Sequence, residues 1–265
     1  MFKNVCLKSL YTMRWQLVGW AAAIMFIVFV TMVLYPSFSQ DGVEQIVNSV
    51  PDSLKSLVGD VADFKTIPGY IGQQIFGPNL YIVSLIMAVL IFIGISASEE
   101  SDGRMQSLLS FPVSRTKAYF HKWAAANLVV AAISLSTMLA LWLALLIIDE
   151  SADYARVWQS VLSLVLINIA YGMVAFTAAM ATGSKAFAVL IGSGYAVATL
   201  FITSLAPAVD KLETIDKFSL LHYYNNPQIM TNGIDLSNTL VILAAIAILT
   251  LIGWIGFLRR DVRTN

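Results

Sequence analysis

Six long runs of apolar residues divide the sequence. They cover about residues 16–35, 80–98, 124–148, 157–181, 187–206 and 239–257. A helix of about 20 residues can cross the ~30 Å hydrocarbon layer of a membrane, because it rises about 1.5 Å per residue. With 58% hydrophobic and 12% charged residues, the 265-residue chain is also far more apolar than a soluble domain. The sequence therefore predicts an all-α polytopic membrane protein with one transmembrane domain over residues 1–265.

The segments outside the runs predict additional short helices. Residues 1–15 place apolar side chains on one helical face and Lys3, Lys8 and Arg14 elsewhere, a pattern typical of a helix in the membrane interface. A cleaved signal peptide is the alternative, but the following run is too long and lacks a small-residue cleavage site. Residues 37–79 and 207–238 predict short extracellular helices before the second and sixth spans.

The distribution of positive charge predicts the orientation. Six spans place both termini on one side of the membrane, and eleven of the sixteen Lys and Arg residues lie on that side: Lys3, Lys8, Arg14, Arg104, Arg115, Lys117, Lys122, Lys185, Arg259, Arg260 and Arg263. Loops rich in Lys and Arg face the cytoplasm. We therefore expect a protein of the cell membrane with both termini in the cytoplasm.

The polar segment between the second and third runs, residues 99–122, combines features that favour a docking site. Two adjacent carboxylates, Glu99 and Glu100, end the second span, where the helix dipole disfavours negative charge. The spacing of Met105, Leu108 and Leu109 predicts a short helix with one apolar face. An apolar cluster exposed to the cytoplasm usually marks a partner site. Packing against the interfacial helix of the same chain is the alternative use of this face.

Several kinds of chemistry are missing from the sequence. No Asp, Glu, Lys, Arg or His lies in the middle of a run, which disfavours an ion-coupled carrier. His121 and His222 fall on opposite predicted sides, so they cannot share a metal. Residues 182–186 lack the order of a phosphate-binding loop. A formal charge of zero gives no indication of a nucleic-acid partner. We therefore predict no catalytic residue, no metal site and no cofactor bound by this chain.

The fifth run carries small and polar residues that suggest a helix interface or a substrate path. Gly192 with Ala196, and Gly194 with Ala198, have the small-xxx-small spacing that lets two helices approach closely. Small residues are also common in membrane helices in general. The candidate interface or path comprises Gly192, Ser193, Gly194, Ala196, Ala198, Thr199 and Thr203. The fourth run carries the polar residues Asn168 and Tyr171 in its interior.

The stretch ASEESDGRMQSLLSFPVSR (residues 97–115), followed by Lys122, resembles the loop after the second span of ABC-2 type transporter permeases. In that family the span ends in Glu and a Gly-containing turn, followed by LLS-x-PVSR and a downstream Lys. Arg104 stands where Thr is usual. The layout of the whole chain is also similar to that of permeases grouped with copper-enzyme-maturation and bacitracin-type exporters.

The resemblance implies a coupling helix over residues 102–112 and an amino-terminal connecting helix over residues 2–14. The residues implied to couple to an ATPase are Glu99, Glu100, Asp102, Gly103, Arg104, Met105, Leu108, Leu109, Pro112 and Arg115. It implies partners of three kinds: a second permease copy, separate nucleotide-binding ATPase subunits that hold ATP and Mg, and membrane lipids.

The expected function is therefore that of a permease subunit of an ATP-driven exporter for an amphipathic or lipid-like substrate. The alternative is a membrane scaffold or sensor that uses the same loop to bind an ATPase or another cytoplasmic partner without transport.

Overall fold

The computed structural model describes residues 5–38, 66–97, 114–224 and 226–260. These residues form helices and turns without a β-strand, and six long helices dominate. We number them α1 (Val5–Val33), α2 (Pro78–Ile95), α3 (Arg115–Ile147), α4 (Tyr154–Thr182), α5 (Lys185–Leu205) and α6 (Leu236–Arg259). All six are long and apolar enough to cross a membrane. The predicted all-α class and the six spans are thus confirmed.

Local sequence signals fix where these helices begin and end. The Ser114 hydroxyl accepts a hydrogen bond from Lys117 N (3.3 Å) at the start of α3, and the Asp153 carboxylate accepts one from Ala155 N (2.9 Å) at the start of α4. Such N-caps satisfy backbone donors that have no partner inside the helix. α4 ends at Gly183, whose φ of 67° is in the left-handed region that glycine adopts without strain.

The six helices alternate in direction, so the bundle has two distinct ends. The termini end carries the start of α1, the end of α2, the start of α3 and the end of α6. Hydrogen bonds of Arg115 and Lys122 connect the last three of these parts, and Met13 of α1 lies beside Gly94 of α2. At the opposite end, which we call the far end, Tyr70 donates to Thr31 O (2.7 Å) and Tyr224 donates to Phe76 O (3.2 Å).

α4 is the central helix of the bundle. In its most apolar stretch 72% of the residues are buried, against 17% in α1 and 22% in both α5 and α6. Gly172 lets the Phe92 ring approach the α4 backbone so closely that a Cβ atom at this position would overlap the ring. Phe92 also packs edge-on against Phe176, with ring centroids 5.7 Å apart. α2, α3, α5 and α6 therefore pack around α4, whereas α1 packs against α3 and α2. α2 approaches α4 closely where glycine removes the side chain.

Two helices are longer than the sequence predicts. α1 is continuous over 29 residues, so residues 5–15, expected as a separate interfacial helix, extend the first span. α3 begins at Arg115, so residues 115–122, expected in the loop, form its first two turns. At about 1.5 Å per residue, α1 is about 44 Å and α3 about 50 Å long, which exceeds the hydrocarbon thickness of ~30 Å. Both helices therefore extend beyond the hydrocarbon layer.

Short helical pieces precede α2 and α6 at the far end. Ile67–Tyr70 continues into a π-helical turn, Ile71–Ile75, which leads to α2 through Gly77 and Pro78. Before α6 the chain forms four short pieces: Ala206–Ala208, Asp210–Asp216, Leu220–Tyr223 and Asn226–Asn232. The two amphipathic helices predicted around Pro51 lie outside the described residues.

Candidate functional site at the termini end

Most residues of the predicted coupling segment, from Glu99 to Pro112, lie outside the described residues. The structure describes the elements from which this segment starts and to which it returns. α2 ends at Ile95, with Ser96 and Ala97 following, and Ser114 caps the start of α3. Arg115, the last residue of the predicted set, is described. The site can therefore be analysed through the helix ends that hold the segment.

Lys122 connects α3 to the end of α2. Its side chain is fully buried, and its ammonium donates a hydrogen bond to Ile95 O at 2.8 Å. Ile95 is the last residue of α2, where carbonyl groups lack partners within the helix and the dipole favours a positive charge. The sequence predicts Lys122 in the polar loop, and the structure corrects this. The early start of α3 places Lys122 inside the bundle.

Arg115 and Arg260 form a second connection at the termini end. The Arg115 guanidinium donates to Arg260 O at 2.6 Å, and Arg260 Nε donates to Met180 O at 2.6 Å. The Arg260 guanidinium also lies over the Phe257 ring, 5.4 Å from its centroid. These contacts join the first residue of α3 to the ends of α4 and α6. The positive charges predicted to orient the chain thus also bind neighbouring helix ends.

A third set of hydrogen bonds lies one to two turns deeper. Tyr119 donates to Thr250 O (2.8 Å), and Trp123 Nε1 donates to the Thr250 hydroxyl (3.2 Å). From α4, Thr177 donates to Leu249 O (2.9 Å). A single turn of α6 is therefore bound by side chains from both α3 and α4.

Together these contacts join the helix ends on either side of the segment 98–113 to the rest of the bundle. Lys122 ties α3 to α2, Arg115 ties α3 to α6, and Arg260 ties the end of α6 to α4. In the sequence the segment begins after α2 and ends before α3. The two helices that it connects are therefore also tied to the ends of α4 and α6.

The structure divides the candidate residues of the fifth span into two groups. Gly192, Ala196 and Thr199 are buried within the chain. A Cβ atom added to Gly192 would lie 2.6 Å from Ala175 Cβ, so this glycine permits close packing of α5 on α4. Ser193 and Ala198 are exposed, and around Gly194 no atom lies within 4 Å of an added Cβ. Only the second group remains accessible to a partner or a substrate.

A polar cluster in the middle of the bundle joins three spans. The Asn168 amide donates to Ser134 Oγ at 2.9 Å, and its carbonyl accepts from Ser84 Oγ at 3.0 Å. All three residues are fully buried. Asn168 is identifiable from the sequence, but its serine partners are not. Their signal is a serine within an apolar run, which does not distinguish a bond to another helix from a bond to the same helix.

Two further candidates, Tyr171 and Thr203, are also hydrogen-bonded. Tyr171 and Thr199 share a hydrogen bond of 2.6 Å between α4 and α5. At the far end, Thr203 donates to the Asp216 carboxylate (2.6 Å), which also binds His222 Nδ1 at 2.6 Å. Thr203 and Asp216 therefore hold the Asp210–Asp216 helix on the end of α5. Among the described residues, no group of three His, Cys, Asp or Glu side chains could hold a metal ion.

Residues 3–262 match the sequence family described as ABC-2 family transporter protein. The match covers nearly the whole chain and includes every helix of the structure. No curated protein sequence matches the chain.

Proposed function

Because this chain belongs to the ABC-2 transporter family, whose members are permease subunits of ABC transporters, we propose that it exports an amphipathic or lipid-like substrate with energy from a separate ATPase subunit. In this proposal ATP and Mg bind the ATPase, and the present chain has no ATPase site. The permease resides in the cell membrane, with both termini and the segment 98–113 in the cytoplasm.

The observation that carries the proposal is the buried bond between Lys122 and Ile95 O. Burying an ammonium group costs several kcal/mol unless it is well bound, so its position at the end of α2 indicates a specific role. It makes the start of α3 follow any movement of the end of α2. An ATPase that presses on the segment between them would thereby move both helices.

The proposed substrate class follows from what the bundle interior offers. The buried polar cluster in the middle of the bundle is satisfied internally, since Asn168 bonds with Ser84 and Ser134. Such an interior supports helix contacts and does not form a path for a hydrophilic solute. α5 instead exposes small residues next to large apolar ones, including Leu190 and Phe201. An amphipathic substrate can move along such a surface in contact with lipid.

We also propose that two copies associate through the exposed face of α5. Gly194 and Ala198 allow a second backbone to approach this face, and the resulting close packing provides dispersion attraction that lipid cannot supply. Gly192 and Ala196 are excluded from this contact because they pack within the chain.

Co-purification with an ATPase subunit, followed by substrate-dependent and vanadate-sensitive turnover in liposomes, tests the function. Leu108→Asp is the decisive variant. Burying one leucine contributes roughly 1.5–3 kcal/mol, so loss of that contact is expected to weaken ATPase binding by about ten- to a hundredfold. Glu100→Gln is expected to retain more binding and to lower the substrate exported per ATP.

Two outcomes contradict the proposal in different ways. Wild-type ATPase binding and transport by Leu108→Asp would show that the segment does not transmit the force. An ATPase that binds the wild-type chain but shows no substrate-dependent turnover would instead favour a scaffold or sensor. Insertion and oligomeric state of the variant provide the control for folding.

A further inference from the structure

A cavity of about 220 Å³ opens at the far end of the bundle. Its wall is formed by α4, the Asn226–Asn232 helix, the start of α6 and the loop between the last two. The deepest contribution from α4 is Ser163, about 14 Å along the helix axis from Tyr154. The cavity therefore extends from the helix ends toward the level of the membrane.

Ser163 gives the cavity an unused polar group. The residue is 6% exposed, and its hydroxyl makes no hydrogen bond to any other residue that the structure describes. Most serines in membrane helices bond back to the preceding turn. Because Ser163 lines the cavity, its hydroxyl is available to exchange a hydrogen bond with a molecule bound there.

The opposite wall is rigid and close to electrically neutral. Asp235 caps α6, where one carboxylate oxygen accepts from Ser237 N (2.8 Å) and Asn238 N (3.5 Å), and the helix dipole balances its charge. Gln159 fixes the adjoining loop by accepting from Ile234 N at 3.1 Å. No Lys, Arg or His is among the described residues that line the cavity, but the Arg156 guanidinium lies directly against Gly233, which does line it. The positive charge of Arg156 is matched by the negative charge of Asp235 on the same wall, so the site provides no net positive charge for a phosphate group.

The remaining polar side chains of the wall both donate and accept hydrogen bonds. Gln228, Asn232 and Asn238 contribute amides, and Tyr223 adds an aromatic ring. An amide offers two N–H donors and one carbonyl acceptor, and a ligand hydroxyl likewise donates and accepts. The lining therefore matches a neutral group that carries several hydroxyls.

We propose that this cavity binds one neutral, hydroxyl-rich group, such as a sugar ring or the glycosyl headgroup of a lipid. Its volume lies below the about 300–1,000 Å³ of sites that enclose a whole drug-sized molecule, so it accommodates a headgroup and leaves lipid chains outside. The role of the site rests on the proposed export function. In that function, the cavity holds the polar end of the substrate as it leaves the bundle.

The test measures binding to the purified full-length chain in lipid nanodiscs, without an ATPase. The probes are methyl glucoside, a monoglucosyl diacylglycerol, phosphatidylcholine and phosphatidylglycerol, with binding detected by native mass spectrometry and titration calorimetry. Ser163→Ala removes one hydrogen bond and is expected to raise the Kd about three- to tenfold. Ser163→Leu fills the cavity and is expected to abolish binding. Ser237→Ala changes an exposed serine in the same region that does not line the cavity, and it is expected to bind as the wild type.

Binding of methyl glucoside supports the inference and identifies a free sugar as a sufficient ligand. Binding of the glucosyl lipid alone also supports it and shows that the sugar must be part of a lipid headgroup. Preference for phosphatidylglycerol or phosphatidylcholine, or an unchanged Kd in Ser163→Leu, would overturn it. If Ser163→Leu does not fold, Asn238→Leu at the half-buried rim provides the same comparison. Because no ATPase takes part, failure here is distinct from failure of the proposed export function.

Discussion

Lys122 lies in an unusual environment for a lysine side chain. Lysine is rarely buried unless its ammonium group is bound, and Lys122 is fully buried with its Nζ atom 2.8 Å from Ile95 O. The bond to the end of α2 accounts for the position, because the carbonyl groups there lack helical partners. A single side chain thus bonds the start of α3 to the end of α2.

Lys122→Met tests whether this bond transmits force. Methionine has a similar length and suits an apolar site, so we expect the variant to insert and fold, since apolar replacements of buried charges are often neutral for stability. A hydrogen bond to a charged group contributes about 1.5–3 kcal/mol, so export per ATP is expected to fall by about ten- to a hundredfold. Lys122→Arg retains the charge and is expected to restore part of the coupling. Normal export by Lys122→Met would assign the residue to folding alone.

Asn168→Ala is expected to lower stability by a small amount. The substitution removes two interhelical hydrogen bonds, each of which contributes about 0.6 kcal/mol in membrane bundles, so a loss of about 1 kcal/mol is expected. Asn127→Ala is the matched control, because the Asn127 amide donates only to Trp123 O in its own helix (2.7 Å). Thermal unfolding in detergent measures both variants, and equal transition temperatures would show that the central cluster adds no stability.

At the scale of the helices, the sequence predicts the presence of each spanning helix better than the residues at which it begins and ends. The apolar runs identify all six spans, because about 20 apolar residues are both necessary and sufficient to cross the hydrocarbon layer. They do not identify the starts of α1 and α3, because a helix continues into the headgroup region wherever caps and backbone hydrogen bonds permit. Ser114 is the N-cap of α3, and it lies ten residues before the predicted start at residue 124.

The candidate site was predictable only in part, for the same reason. The position of the coupling segment and its charged residues can be read directly from the sequence. The burial of Lys122 cannot, because it depends on α3 extending further than the apolar run. Likewise, the spacing of Gly192, Gly194, Ala196 and Ala198 indicates a helix interface. Periodicity alone cannot tell a face that packs within the chain from one that faces a partner.

Gly192→Leu and Gly194→Leu form a matched pair on α5. The first places a side chain where an added Cβ already lies 2.6 Å from Ala175 Cβ, so overpacking is expected to destabilise the chain by about 1–3 kcal/mol. The second meets no atom within 4 Å of the added Cβ, so the monomer is expected to fold normally and the association of two copies to weaken. Thermal unfolding and cross-linking distinguish the two effects. Unchanged cross-linking and export in Gly194→Leu would place the dimer interface elsewhere.

For the molecule as a whole, the orientation can be tested with single cysteines in a Cys6→Ser background. Ala186 lies at the termini end and Ser151 at the far end, and both are exposed. With an impermeant thiol reagent on intact cells, Ser151→Cys is expected to react and Ala186→Cys to react only after permeabilisation. Ser107→Cys, in the predicted coupling segment, is expected to behave like Ala186→Cys. Labelling of either in intact cells would reverse the proposed orientation.

The central position of α4 determines the order in which the protein can assemble during synthesis. The chain is synthesised from its amino terminus, so α1, α2 and α3 enter the membrane before α4. When α4 is inserted, α2 and α3 are already present to cover part of its surface, and α5 and α6 cover the rest afterwards. We therefore expect a four-helix intermediate on the ribosome-bound chain. A substitution at the contact of α4 with α6 would then escape quality control until α6 has been inserted.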